Sequence, residues 1–314
     1  MLGANVPLDD EPLPTPSGYE AVGACSRTVP LLSPVPAADV SGPRRVTARD
    51  SLHHRLRVLA VIATAEFKLK YTGSVLGYAW SVLKPLALFT LLYLVFGRVF
   101  NLNELSPYYA VSLLVGIVLY SFFADATMLG LISIVTRDSL IRKIAFPRII
   151  ITTSVTLTAG MTLLINITVV GAFLAYKQIT PQLDWLLIPL LLVELYAFTL
   201  GVSLILAALF VRLRDLQQVW ELALQLFFYA SPILYPIGFL PPWAQKLAFL
   251  NPFTQVMQDI RALLFYPDVA SNRITAAGAF GGLGRVVPIA IAIGTLVVGY
   301  VYFRRQEPWF AERA

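Results

Sequence analysis

The chain has 314 residues, of which 57% are hydrophobic and 13% charged, and it carries a net charge of +6. With a mean hydropathy of +0.72, this composition lies outside that of globular domains and excludes a soluble protein. The lone Cys25 permits no internal disulfide and stands too isolated for a metal cluster.

Residues 1–43 hold eight of the 21 prolines and a net charge of −4, which leaves +10 on the remainder. With no apolar period and no basic n-region of a signal peptide, this segment is expected to be a disordered cytoplasmic tail. Residues 44–79 read as an interface helix and lead-in. Leu52, Leu56, Leu59, Ala63 and Phe67 recur at helical spacing, while His53, Arg57, Thr64 and Lys68 fall elsewhere on the wheel. Such a basic amphipathic helix either lies in the membrane interface or packs on a soluble partner. The adjacent His53 and His54 suit solvated or headgroup-facing roles better than metal ligation, and no metal site is expected.

Residues 80–314 read as an all-α membrane domain of six spans with a short cytoplasmic tail. The spans fall at 80–99, 108–136, 149–176, 185–211, 219–235 and 286–303. Helices are required because a lipid-exposed backbone must satisfy its own hydrogen bonds. Seventeen Lys and Arg residues fall on the side that holds the amino terminus, against one in the two short loops 101–107 and 177–184. The positive-inside rule therefore places both termini in the cytoplasm. The basic surplus is spent on topology, and no nucleic-acid partner is expected.

Between the fifth and sixth spans, 231–285 is semi-apolar without a run of spanning length. It reads either as re-entrant helices dipping back from the outer surface or as a folded external loop. Pro236, Trp243, Pro252, Phe253 and Arg261 are the candidates for an external gate there. Aromatic side chains are dense in spans one, two and five. Trp80, Phe89, Tyr93, Phe96, Tyr120, Phe123, Phe228 and Tyr229 are candidates for lining a path, or for packing and lipid contact. Tyr108, Tyr109 and Trp185 suit an interfacial belt. Asp125 and Glu194 fall inside hydrophobic spans, where a charge costs at least ~2.5 kcal/mol on insertion scales. Each should face the interior, bonded to a partner there or protonated, and Asp125 joins the candidate path. Asn166 suits interhelical bonding.

No glycine-rich phosphate loop or catalytic carboxylate pair is present, so no enzymatic chemistry is expected of this chain. The loop TRDSLIRKIAFPR at 136–148 is unusual. Pro147 should end a short helix that carries apolar Leu140, Ile141 and Ile144 beside Arg137, Arg142 and Lys143. This is either a docking element or an ordinary basic inside loop.

The segment LIRKIAFPR resembles the coupling region of the ABC-2 type permeases that export polysaccharides such as O-antigen, teichoic acid and galactan. In order along the chain, YTGSVLGYAWSVLKPL, VRLRDLQQVW and SPILYPIGFLPPWAQKLAFLNPF are similar to further stretches of that family. The likeness covers residues 52–305, whereas the long Pro-rich tail departs from most members. It implies a homodimer in the bacterial plasma (inner) membrane carrying two copies of a separate ABC ATPase. That partner would bind ATP and Mg, with no cofactor in this chain. Arg137, Asp138, Arg142 and Lys143 would meet the motor, and re-entrant helices would gate the exit. The implied substrate is a polymer on a polyprenyl pyrophosphate lipid, galactan being favoured. Arg57, Lys70, Lys84 and Arg98 are candidates for holding the pyrophosphate, with anionic headgroups as the stronger competing partners of the first three. Two other classes stay open. An ABC-2 exporter of drugs or small lipids would need no wide aromatic conduit. A membrane-embedded glycosyl- or phosphotransferase would need acidic or histidine clusters that are absent.

Overall fold

The computed structural model describes residues 48–71, 77, 79–105, 107–137, 147–265, 275 and 285–307. The Pro-rich tail lies outside them, as does most of the 136–148 loop. Among the described residues the chain is all helical. Its helices are α1 (Ala48–Tyr71), α2 (Ala79–Leu92), α3 (Leu102–Leu105), α4 (Tyr109–Ile132), α5 (Ile149–Tyr176), α6 (Ile188–Phe210), α7 (Leu216–Ala230), α8 (Pro242–Phe249), α9 (Pro252–Phe265) and α10 (Val286–Gln306). A π-helical turn, Tyr93–Val99, prolongs α2, and a 3-10 turn, Leu183–Leu187, leads into α6.

Five helical stretches are long and apolar enough to cross a membrane: Ala79–Val99, Tyr109–Ile132, Ile149–Tyr176, Leu183–Phe210 and Val286–Gln306. The first four run alternately between an end marked by Arg137 and an end marked by Asn101, and the fifth runs the same way as the fourth, so that Phe303 packs with Val211, Ile134 and Ile151 at the Arg137 end. α4 is the hub. Every residue from 109 to 119 is buried, and 61% of the span is covered, against 11% for the span built on α2. α6 and α10 make the closest pairing, where Gly201 meets Gly299 and the backbone at Leu296. Small residues permit this approach, which gives helices in lipid their packing energy.

α1 lies on α5. Its inward face is Leu59, Ile62, Ala63, Glu66 and Phe67, at spacings of three and four, while Arg57, Thr64 and Lys68 are exposed. Hydroxyls of α5 stitch this region together. Thr158 Oγ1 donates to the carbonyl of Ala63 at 3.2 Å, and Thr152 and Ser133 hydroxyls lie 2.9 Å apart.

The fifth apolar segment departs from expectation. The sequence reading runs a helix through 219–235, yet α7 stops at Ala230 after 15 residues. That is roughly 22 Å of helix, short of the ~30 Å hydrocarbon core. Pro232 explains the stop, because the residue before a proline is driven out of the helical region. Ser231 is accordingly extended, at φ −78 and ψ 141. The broken chain survives at this depth because protein surrounds it and bonds its carbonyls. Tyr109 Oη donates to Leu234 O at 2.8 Å, and Arg261 donates to Pro232 O at 2.7 Å and Ile233 O at 3.1 Å.

Candidate functional site

A cavity of about 870 Å³ opens between α2, α4 and α5, running from the Arg137 end toward mid-bundle. Trp80, Lys84, Leu88 and Leu91 line one wall, with Tyr120, Phe122, Asp125 and Met128 on another. Thr162 and Asn166 of α5 form the floor, and Gln217 of α7 closes one side. Lys84 Nζ lies 3.8 Å from Asp125 Oδ1, with the lysine side chain 81% exposed and the aspartate 37%. At that exposure the pair is weak, worth about 0–1 kcal/mol, so its ammonium is available to another anion. Tyr120 Oη donates to Leu224 O at 2.8 Å, fixing α4 to α7 beside the opening. The site thus offers one solvated cation, flat aromatic faces, and hydroxyl and amide groups above an apolar wall.

The structure divides the aromatic candidates. Trp80 and Tyr120 line the cavity with Asp125. Phe228 packs edge-on against Tyr120, with ring centroids 4.8 Å apart, and exposed Tyr229 lies 5.4 Å from Phe228. Phe89 is instead buried between Tyr93 and Phe173, at 5.6 and 5.5 Å. Tyr93 Oη accepts a hydrogen bond from Asn103, and Phe96 stacks on Phe100. Phe123 sits in the core against Phe198, Phe227 and Phe253. These four do not line the cavity.

The cationic candidates do not converge. Lys84 is at the cavity, Arg57 is exposed on α1, and Arg98 is exposed in the π-helical turn at the Asn101 end. Fourteen residues of helix separate Lys84 from Arg98, roughly 20 Å. The side chain of Lys70 lies outside the described residues, as do Asp138, Leu140, Ile141, Arg142, Lys143 and Ile144.

Both flanks of that undescribed loop are anchored. Arg137 Nη2 lies 2.9 Å from Glu66 Oε1, and Ser154 Oγ donates to the same oxygen at 3.4 Å. Burial pushes the Glu66 carboxyl above its ordinary value, while Arg137 and Ser154 pull it back. On the other flank, the backbone N–H of Arg148 donates to Glu307 Oε1 at 3.2 Å, and its guanidinium donates to the Glu307 carbonyl. Arg137 is therefore tied to α1 and Arg148 to the end of α10. Neither glutamate stood out in the sequence, because single acids on mixed polar faces look solvated.

Of the gate candidates, Pro236 is in the connection after α7, Trp243 is 70% exposed on α8, and Pro252 and Phe253 are buried at the start of α9. Arg261 is buried and bonds carbonyls only: Ser112 O twice, at 3.1 and 2.9 Å, besides Pro232 O and Ile233 O.

Comparison with known proteins adds a family to this geometry. The profile of the ABC-2 type transporter family matches residues 57–265. An O-antigen export system permease protein RfbA of Klebsiella pneumoniae is 31% identical over 242 residues, covering 77% of this chain and 93% of that protein. A second protein of that name and organism is 33% identical over 68% of this chain and 82% of its own length. One from Myxococcus xanthus is 29% identical over 66% and 80%. With a family match over most of its length and relatives covered over 80–93% of theirs, this multi-pass membrane protein belongs to the ABC-2 type transporter family.

Proposed function

We propose that the chain is the membrane subunit of an exporter that moves a polysaccharide, carried on a polyprenyl pyrophosphate lipid, out across the bacterial inner membrane. The observation that carries this reading is the cavity of α2, α4 and α5, with Lys84 at its mouth. An ammonium in water beside an apolar wall suits a phosphate-bearing lipid head, and the faces of Trp80 and Tyr120 suit sugar rings without fixing one pose. The names of the relatives point to the same class of cargo. Galactan is the polymer favoured by the sequence resemblance.

Two copies would close the conduit by bringing the sparsely covered α2 faces together. The Arg137 end is cytoplasmic in this reading, with both termini, and two copies of a separate ATPase bind ATP and Mg there. This chain performs no hydrolysis and holds no cofactor. The segment from Arg137 through Ile144 receives the motor's stroke, and the anchors at Glu66 and Glu307 pass it to α1 and α10. At the outer end α8 and α9, with Pro236, Trp243, Pro252, Phe253 and Arg261, form the gate.

The test is reconstitution with the ATPase in vesicles loaded with lipid-linked polymer. Photoreactive residues at Trp80 and Tyr120 should crosslink to polymer, and one at Phe89 should not. Equal labelling at all three, or transport of a small amphiphile in place of polymer, would reject the reading. Substituting Asp138, Arg142 and Lys143 together should abolish stimulation of the ATPase by the permease.

A further inference from the structure

Although α7 is too short to span, it lies at bilayer depth alongside α4. Trp220 Nε1 donates to Thr127 Oγ1 at 3.1 Å, Tyr120 Oη donates to Leu224 O at 2.8 Å, and the rings of Phe227 and Phe123 are 5.1 Å apart. Residues 220–227 are therefore level with residues 120–127 of the spanning helix Tyr109–Ile132. The face of α7 turned to α4 is apolar, with Leu224 and Phe228 buried. Beside it runs a different surface. Gln218, Glu221, Gln225 and Tyr229 are all exposed, at i, i+3, i+7 and i+11, and form one stripe along the helix.

Contact with lipid tails would make such a stripe costly. The exposed residues of α6 (Pro189, Leu190 and Val193) and those of α10 from Val286 to Val298 are hydrocarbon or glycine, as lipid requires. The α7 stripe therefore borders water or protein, and its continuity with the cavity favours water. Gln217 lines the cavity, and its Nε2 donates to Glu221 Oε1 at 3.3 Å. At the other end, Tyr229 lies 5.4 Å from Phe228, which packs on Tyr120 of the cavity wall.

Amides and a phenol both donate and accept, and a carboxylate accepts, which suits a succession of sugar hydroxyls. Glu221 is the one charged residue of α7. The phosphates of a carrier lipid would pass its carboxylate once. A polymer with an acid on every repeat would meet it at each step, and like charges brought together repel. We propose that the stripe forms a wall of the polymer path and that Glu221 sets its charge selectivity. Neutral glycans pass, and polymers with a carboxylate or phosphate on each repeat are held back. This selectivity rests on the export of a polysaccharide and adds the class of polymer to it.

Permease and ATPase reconstituted together can be given two lipid-linked polymers of equal length, a neutral hexose polymer and one with a uronic acid in each repeat. Wild type should export the neutral polymer roughly tenfold faster or more. In Glu221→Gln the ratio of acidic to neutral export should rise by about that factor, and in Glu221→Lys it should rise further. Export of neither polymer by wild type rejects the export reading and the selectivity with it. Equal export of both, or a ratio unmoved in Glu221→Gln, rejects the selectivity alone. A second measurement needs no transport. In a Cys25→Ser background, Gln225→Cys should react with a charged, water-soluble maleimide in membrane fragments open on both sides, and Val193→Cys should not. Failure of Gln225→Cys to react, or a disulfide joining two copies through it, assigns the stripe to a protein seam and overturns the proposal.

Discussion

The guanidinium of Arg261 occupies space that only a glycine at 116 leaves open. A Cβ on Gly116 would lie 2.6 Å from Arg261 Nη2, which is held in place by its bonds to Ser112 O and Ile233 O. The sequence break at Pro232 thus has its complement on two other helices: an arginine that reaches the freed carbonyls and a glycine that admits it. Gly116→Ala should cost about 1–3 kcal/mol through overpacking. Arg261→Met should cost more, because several buried carbonyls lose their donor at about 1–3 kcal/mol each. Thermal unfolding in detergent measures both, and an unchanged Tm in Gly116→Ala would contradict the fixed guanidinium.

Glu66 and Arg137 give a pH signature on the opposite face of the molecule. Burial, the largest influence, raises the Glu66 carboxyl above its ordinary value of 4.5, and Arg137 opposes it. A carboxyl raised in the folded state binds protons more tightly there than when unfolded. The stability it lends is complete at low pH and declines as pH climbs from the ordinary value through the folded one. Arg137→Ala removes the opposing charge, so the decline should deepen and extend upward, with a loss of about 1–3 kcal/mol near neutrality. Adding Glu66→Gln should flatten the curve again. A pH profile of Tm for the three proteins checks this, and identical slopes would refute the pairing.

The apolar runs made most of this fold legible. The third span matches α5 at both ends, and the others match within a few residues, because spanning length and hydropathy are properties of a segment alone. The fifth matches α7 only as far as Ala230, because residues 231–235 are as apolar as a helix, while Pro232 acts through backbone sterics that hydropathy does not register. The site was half legible. Lys84 and Asp125 were each visible as charges in apolar surroundings, but their meeting across 41 positions depends on how α2 leans on α4. Phe89 and Phe123 have the composition of a sugar path and the packing of a core, and composition cannot separate the two.

Lys84 should matter for transport and hardly at all for stability. Its pair with Asp125 is solvent-exposed, so Lys84→Ala should change unfolding by no more than about 1 kcal/mol. Export in reconstituted vesicles should nevertheless fall several-fold, and Lys84→Arg should keep most of it, since the positive charge is retained. Asp125→Asn frees the ammonium and should leave export at or above the wild-type level. Loss of folding in Lys84→Ala, or full export without the charge, would move the lysine from binding to structure.

Gly201 and Gly171 provide a matched comparison of glycines in spanning helices. Around a Cβ at 201 the nearest atoms are Leu296 N at 2.6 Å, with Leu296 Cα and Thr295 C at 2.7 Å. All are backbone atoms of α10, so no side chain can swing aside and the two helices must part. At 171 a Cβ would meet nothing within 4 Å. Gly201→Ala should therefore cost about 1–3 kcal/mol, whereas Gly171→Ala should stay within about 0.5 kcal/mol of wild type. Because α10 also holds Arg148 through Glu307, separating α6 from α10 should weaken stimulation of the ATPase along with stability. Equal Tm values for the two variants would show that the α6–α10 contact is looser than its backbone distances require.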